Sequence, residues 1–155
     1  MEKIIIGSDH AGYELKEHLK DYIRKNTGYE VVDFGCYSPE PVDYPDIAYL
    51  VAEAVAKSND ALGIVIDGVG SPSAIVANKV PGIRASVCWD LFTARISREH
   101  NDANILALGG RVLGKTLAEE IVKVWLATPF AGGRHKRRVD KIINIEGRYL
   151  KNIPP

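Results

Sequence analysis

The stretch ALGIVIDGVGSP, residues 61–72, decides the fold that this sequence predicts. Its first half, 61–66, is a continuous apolar run, which is typical of a strand buried on both faces of a parallel sheet. Two glycines then allow a tight loop, and Pro72 suits the first turn of a helix, where its missing N–H costs nothing. The stretch therefore predicts a buried strand that leads through a short loop into a helix.

The same alternation of strand and helix continues in both directions from this stretch. Strands are predicted over 3–7, 30–35, 61–66, 83–89 and 105–108. Helices are predicted over 12–25, 46–57, 73–79, 91–99 and 116–127, and a last helix follows Gly132-Gly133. We expect one α/β domain over 1–155, a three-layer α/β/α sandwich with a Rossmann-like, five-stranded parallel sheet.

Composition limits the classes of partner. The 155 residues include 46% hydrophobic residues and carry 20 basic and 20 acidic side chains, so the formal net charge is zero. A chain without a basic surplus creates no general field for nucleic acid or an anionic membrane. The apolar run 4–6 is too short for a signal peptide or a membrane span. We expect a cytoplasmic protein with neither nucleic-acid nor membrane partners, and no metal, since the four histidines lack metal-ligand spacing.

Ligands of such sheets bind beyond the carboxyl ends of the strands. This rule selects four segments: Ser8-Asp9-His10, Asp67 to Ser73, Trp89-Asp90 and Gly109-Gly110-Arg111. In the second segment, free amides at a helix start would suit a phosphate or a developing oxyanion. A plain glycine turn with a helix cap explains the same residues.

Two further segments carry candidate chemistry. Arg134 and Arg138 lie four residues apart on the last helix, so two guanidinium groups could hold one phosphate. A solvated helix face is the alternative. In the polar segment 97–104, His100 could shuttle a proton and Asn101 could donate to a substrate oxygen, whereas a helix-capping turn is the alternative.

Several motifs together resemble the type B ribose-5-phosphate isomerases, whose wider family includes galactose-6-phosphate and allose-6-phosphate isomerases. The motifs are GSDHAG (7–12), DYPD (43–46), ANKVPGIRA (77–85), SREHNDAN (97–104), LALGGR (106–111) and GGRH (132–135). The resemblance implies an aldose–ketose isomerase that uses no metal or other cofactor and works through a cis-enediolate. It also implies a homodimer or a dimer of dimers in which two subunits share each active site.

The resemblance assigns roles to individual residues. It implies that His100 opens the sugar ring, that Asp9 and His10 contact the sugar and that Asn101 donates a hydrogen bond. Arg134 and Arg138 would bind the phosphate, with Arg111 close by. The full set of predicted substrate-binding residues is Asp9, His10, Tyr44, Gly68, Val69, Gly70, Ser71, Asn101, Arg111, Arg134 and Arg138.

One loop departs from the family pattern. Where the family usually has Cys-Gly-Thr-Gly-Ile-Gly, and the cysteine removes the carbon-bound proton, this chain has DGVGSP at 67–72. We hypothesise that Asp67 is the general base, because carboxylates perform this chemistry in other sugar-phosphate isomerases. Ser71 or Ser73 could replace the lost threonine hydroxyl.

The altered loop leaves three alternatives open. The substrate could be another sugar phosphate of four to six carbons rather than ribose 5-phosphate. Catalysis could have been lost, which would leave a sugar-phosphate binder. A flavin- or nucleotide-binding module of similar architecture is the third alternative.

Overall fold

The computed structural model describes residues 2–150. The strands are β1 (Lys3–Ser8), β2 (Glu30–Asp33), β3 (Ala61–Asp67), β4 (Ala85–Val87) and β5 (Ile105–Gly109). The helices are α1 (Tyr13–Asn26), α2 (Tyr44–Ala56), α3 (Ser71–Ala77), α4 (Leu91–Glu99), α5 (Lys115–Ala127) and α6 (Arg134–Leu150). A single 3-10 turn, His10–Gly12, precedes α1.

All five strands run parallel in one sheet, in the order β2-β1-β3-β5-β4. The predicted five-stranded parallel sheet and three-layer α/β architecture are therefore confirmed. From β1, the chain adds β2 on one side and β3 on the other. The crevice beyond the carboxyl ends of β1 and β3 is the topological switch point, where sheets of this kind bind ligands.

Two apolar clusters cover the two faces of the sheet. Leu19 of α1 and Trp125 of α5 are both 0% exposed and pack with Ile4, Ile64 and Leu106 on one face. The other face carries α2 and α3, and its buried residues are Ile5, Ala48, Val51, Ala52, Val55, Val65, Ala74, Ala77, Ile83, Ile105 and Ala107. The alternation of Ile4, Ile5 and Ile6 between clusters explains why the strands read as continuous apolar runs.

Several predicted boundaries are wrong by one or two residues, and for two of them the structure shows the reason. The strand predicted over 83–89 is shortened to β4, because the Ile83 amide bonds to the carbonyl of Val80 in a turn and the Arg84 amide bonds to the Asn104 side chain. α3 begins two residues before the predicted position, since Gly70 adopts a φ of +93° at the helix cap and Pro72 occupies the first turn.

The last helix, α6, belongs to neither of the two helix layers that cover the sheet. Of its residues, His135 and Val139 are buried, whereas Ile142, Ile143 and Ile145 are exposed. One contact to the rest of the chain is the Gly82 amide, which donates to the Glu146 carboxylate at 3.1 and 3.2 Å. Between residues 2 and 150, every helix is too short or too polar to span a membrane.

Candidate active site

Asp9 follows β1 directly, at the switch point of the sheet. Its side chain is buried, and Oδ1 accepts hydrogen bonds from the amides of Ala11 (3.0 Å) and Gly12 (3.1 Å). These bonds close the 3-10 turn that leads into α1. The turn holds the carboxylate in one orientation and leaves Oδ2 as its acceptor for a ligand.

His10 is the first residue of this turn and is half-buried. Its Nδ1 accepts a hydrogen bond from the backbone amide of Val42 at 3.2 Å. A ring nitrogen that accepts carries no hydrogen, so the neutral imidazole has its hydrogen on Nε2 and can donate from there. Tyr44, two residues beyond Val42, begins α2 and is 38% exposed.

A buried ion-pair network anchors the segment that leads to Val42. The Lys16 side chain is 0% exposed, and its Nζ lies 2.7 Å from both oxygens of Asp33 and 2.6 Å from the carbonyl oxygen of Cys36. Burial alone would raise the pKa of Asp33, but hydrogen bonds from Lys16, Lys20 and the Gly35 amide outweigh it and lower the pKa below its ordinary value. Buried charged side chains therefore stabilise the turn after β2.

Asp67 ends β3 and is bound to its own loop. Oδ1 accepts from the amides of Val69 (2.9 Å) and Gly70 (2.6 Å), and Oδ2 accepts from the amide of Ser73 (2.7 Å). The residue is 2% exposed. Since a carboxylate has about four acceptor positions, these bonds leave one on Oδ2.

The three bonds correct part of one prediction about this loop. The sequence predicted free amides for an anion at the start of α3, yet those of Val69, Gly70 and Ser73 already donate to Asp67. The prediction missed this because Gly70, at φ +93°, bends the chain back over the end of β3. Asp90 also serves locally, since its carboxylate caps α4 by accepting from the Thr93 amide at 2.7 Å.

The loop after β5 lies against the loop after β3. The amide of Gly110 donates to the carbonyl of Asp67 (2.8 Å), and that of Arg111 donates to the carbonyl of Gly68 (2.9 Å). A Cβ on Gly109 would lie 2.8 Å from the backbone of Val69, so only glycine permits this approach. Arg111 is exposed beside Gly68, and the structure thus brings these predicted residues together with Asp9 and His10.

His100 and Asn101 lie at the opposite edge of the sheet. α4 follows β4 and runs back toward the amino ends of the strands, where His100 caps it. The segment then enters β5, and the carbonyl of Asn104 accepts from the amide of Gly63 near the start of β3. A backbone hydrogen bond also joins α4 to the segment before α6: the Ala131 amide donates to the carbonyl oxygen of Glu99.

His100 stacks on His135 of α6. The ring centroids are 4.0 Å apart and the rings are nearly parallel, at 11°. Burial, together with electrostatic repulsion from His100, Arg134 and Arg138, lowers the pKa of His135. The sequence prediction assigned His135 no role, although it lies between the two predicted phosphate ligands.

Arg134 and Arg138 are exposed on α6 beside this pair of rings. They lie one helical turn apart, as predicted, and neither forms an ion pair within residues 2–150. Their neighbour Lys136, in contrast, pairs with Asp140 at 2.7 Å. Both guanidinium groups are therefore available to an anion.

The predicted site residues form two groups that one chain does not bring together. The first group comprises Asp9, His10, Tyr44, Asp67, Gly68, Val69, Gly70, Ser71 and Arg111. The second comprises His100, Asn101, Arg134 and Arg138. β5 separates the two edges of the sheet, and its five residues span about 17 Å at the usual rise of a strand.

The described residues contain no group of three or more His, Cys, Asp or Glu side chains arranged to hold a metal ion. Sugar or phosphate recognition by hydrogen bonds and guanidinium groups fits the side chains that are present. The fold is that of a doubly wound α/β protein, with fixed polar groups at its switch point and two guanidinium groups on α6 that are unpaired within residues 2–150.

Comparison with known proteins identifies the family. The Ribose/Galactose Isomerase family matches residues 4–142. Ribose-5-phosphate isomerase B of Escherichia coli is 47% identical over 148 residues, which cover 96% of this chain and 99% of the relative. D-erythrulose-4-phosphate isomerase of Pectobacterium atrosepticum is 42% identical over 144 residues, 92% of this chain and 93% of the relative.

A solved structure agrees with both relatives. Ribose-5-phosphate isomerase B of Clostridium thermocellum superposes with a TM-score of 0.92 at 58% identity, covering 95% of this chain and 99% of that one. The chain belongs to the ribose/galactose isomerase family. The predicted family and the predicted class of enzyme, an isomerase, are confirmed; the roles of single residues stay predictions.

Proposed function

We propose that this protein interconverts an aldose phosphate and a ketose phosphate, with ribose 5-phosphate and ribulose 5-phosphate as the first candidate pair. The observation that carries the proposal is the match to sugar-phosphate isomerases over nearly the full length of both chains. The two exposed arginines of α6 supply the charge that a phosphate requires, and the switch point supplies fixed polar groups for a sugar.

The reaction moves one hydrogen from carbon 2 to carbon 1 of the open-chain sugar and one proton from oxygen 2 to oxygen 1. The electrons stay within the sugar, and the intermediate is a cis-enediolate, so the proposal involves no cofactor. Asp67 is the proposed base, acting at the acceptor position that remains on Oδ2. His100 opens the ring, and Arg134 and Arg138 hold the phosphate.

The remaining predicted contacts divide between hydroxyl groups and the enediolate. Asp9 accepts through Oδ2 and His10 donates through Nε2, while Tyr44, Asn101 and Arg111 line the ligand. Among the described residues, the amides of Gly68 and Ser71 have no acceptor, so they are the proposed donors to the enediolate oxygen. Val69 and Gly70 shape the same wall.

The proposal requires a second copy of the chain, because one chain holds the two groups at opposite edges of its sheet. A homodimer, or a dimer of dimers, would bring Asp67 of one copy to Arg134 and His100 of the other. This arrangement agrees with the shared sites that the family resemblance implies. The proposed location is the cytoplasm.

The relatives named above act on sugars of different length. Both ribose-5-phosphate isomerase B and D-erythrulose-4-phosphate isomerase cover most of this chain at similar identity. The alternative substrate is accordingly another four- to six-carbon sugar phosphate. A binder without catalysis is the second candidate function, and the observation in its favour is the bonding of Asp67 to three amides.

Proton NMR in heavy water tests these candidates directly. Ribose 5-phosphate, erythrose 4-phosphate and six-carbon sugar phosphates are incubated with the wild type and with Asp67→Asn. Conversion with deuterium entering beside the carbonyl is expected for the wild type and its loss for the variant. Full turnover in Asp67→Asn would remove Asp67 as the base. Binding without any exchange would favour the binder.

A further inference from the structure

The carboxylate of Asp67 joins three amides that lie two, three and six residues further along the chain. The bonds to Val69, Gly70 and Ser73 are 2.9, 2.6 and 2.7 Å long, and the carboxylate is almost completely buried. A buried amide without an acceptor costs free energy comparable to a lost hydrogen bond. One side chain therefore satisfies three backbone donors of the loop at once.

The conformation of the loop brings these donors to Asp67. Gly70 adopts φ +93°, and its amide and that of Ser73 both donate to Asp67 at the end of β3. On the outer side, the backbone of Val69 lies against Gly109 of β5. Asp67 therefore bonds along the whole of the loop 68–73, which comprises the turn after β3 and the first residues of α3.

We propose that Asp67 is a positioning residue for the loop 68–73, in addition to any proton transfer, and that its carboxylate holds the loop ready for a sugar phosphate before the ligand arrives. The proposal rests on the proposed function, because the loop carries the predicted contacts Gly68, Val69, Gly70 and Ser71. A carboxylate at this position bonds to several amides at once. A thiol is a single weak acceptor and does not replace it.

Two substitutions separate positioning from proton transfer. Asp67→Asn removes the basic oxygen, but its carbonyl oxygen still accepts from Val69 and Gly70, and only the bond from Ser73 is lost. Asp67→Cys keeps a group that accepts a proton as a thiolate, yet it loses all three amide bonds. Asp60→Cys, an exposed residue just before the amino end of β3, is the matched control.

Hydrogen exchange of single amides by NMR is the first readout, since it needs no ligand. In Asp67→Cys, faster exchange is expected at Val69, Gly70 and Ser73; in Asp67→Asn, it is expected at Ser73 alone. The control variant should exchange as the wild type does. Unchanged exchange at all three amides in Asp67→Cys would overturn the proposal.

The second readout is the affinity for ribitol 5-phosphate, a sugar-alcohol phosphate that has no carbonyl and undergoes no isomerisation. Loss of the three bonds is expected to raise Kd about tenfold in Asp67→Cys, and about threefold or less in Asp67→Asn. A Kd for Asp67→Cys within twofold of the wild type would overturn the positioning role. A merely structural defect would lower the melting temperature without this order of affinities.

The two proposals fail in different ways. A wild type that neither binds ribitol 5-phosphate nor converts any sugar phosphate would overturn the proposed function. It would also overturn the sugar phosphate as the ligand of the loop. The exchange data would then still decide whether Asp67 sets the path of the loop. A wild type that isomerises a sugar while Asp67→Cys retains its affinity overturns the positioning role alone.

Discussion

The two halves of the candidate site differ in how their polar groups are held. At the switch point, the carboxylates of Asp9 and Asp67 are buried, and two and three backbone amides donate to them respectively. On α6, Arg134 and Arg138 are exposed and make no ion pair within residues 2–150. The first half is organised by its own chain, whereas the guanidinium charges of the second half have no carboxylate partner within residues 2–150.

This contrast follows from where each half lies. The switch-point residues extend strands whose backbone bonds continue into the loops, so amides are close to every carboxylate. In α6 only His135 and Val139 are buried, Glu146 accepts from the Gly82 amide, and most of the other side chains are exposed. Preorganisation therefore decreases from the sheet to the last helix, and the following predictions test that difference in order of decreasing effect.

The largest effect is expected from mixing two inactive variants. Asp67→Asn damages the first half and Arg134→Ala the second, and each is expected to lose activity by roughly a hundredfold or more. Co-refolded in equal amounts, half of the dimers are hybrids with one intact site, so about a quarter of wild-type activity should return. Assays of sugar-phosphate conversion measure it. A mixture no more active than the mean of its parents would show that one chain builds the whole site.

Lys16→Met tests the buried network behind the first half. Removing the Lys16 ammonium leaves Asp33 with one ammonium partner and the carbonyl of Cys36 unbonded, which should lower the free energy of unfolding by roughly 3 kcal/mol. Lys20→Met, which removes the more exposed partner of Asp33, is the control and should cost less. Urea denaturation measures both. Equal losses in the two variants would contradict the central role of Lys16.

The same network predicts an acid dependence. The pKa of Asp33 is lowered from 3.8 in the folded protein, so its ion pairs stabilise the fold above about pH 4 and the stabilisation is lost as the pH falls through the folded value. The difference in stability between the wild type and Lys16→Met should therefore shrink in acid. A difference that stays constant down to pH 2.5 would be inconsistent with a charged Asp33.

Arg138→Ala tests the second half by itself. Loss of one of two phosphate-binding guanidinium groups is expected to raise KM about tenfold with a smaller change in kcat. Arg137→Ala is the matched control. It removes the same charge from the preceding position of α6, and adjacent positions of a helix face different directions. Equal KM values for the two variants would indicate a general effect of charge rather than a specific contact.

The smallest expected effect concerns His135. Its pKa in the folded protein is lowered from 6.5, so the unfolded chain binds more protons as the pH falls from 7 toward 5. Stability is therefore complete above pH 6.5 and declines below it. The melting temperature of the wild type should fall over this range, and that of His135→Gln should fall less. Parallel pH profiles would argue against the effect.

Much of the fold was predictable because its signals are local. Short apolar runs separated by amphipathic segments predicted all five strands and every helix, and α4 was bounded correctly at both ends by Asp90 and His100. One of the errors lies where a distant residue acts. Asn104 shortens the strand before it by bonding to Arg84, although the two are 20 residues apart in the chain.

The candidate site was predictable as a set of residues but not as an arrangement. The rule for parallel sheets selected Asp9 and Asp67 from their positions after strands, and helical spacing selected Arg134 and Arg138. The sequence could not show that Asp67 bonds to three amides, because those bonds depend on the turn at Gly70. Nor could it show the bond between His10 and Val42, which joins residues 32 positions apart.

The sequence by itself determined the parallel α/β fold, the family and the residue types available to a sugar phosphate. These properties depend on apolar periodicity and on motifs, which are written along the chain. Only the tertiary structure decided which polar groups meet and which are already occupied. It bonded the Asp67 carboxylate to backbone amides of its own loop and placed His100 at the far edge of the sheet. Both outcomes depend on how separate segments fold together.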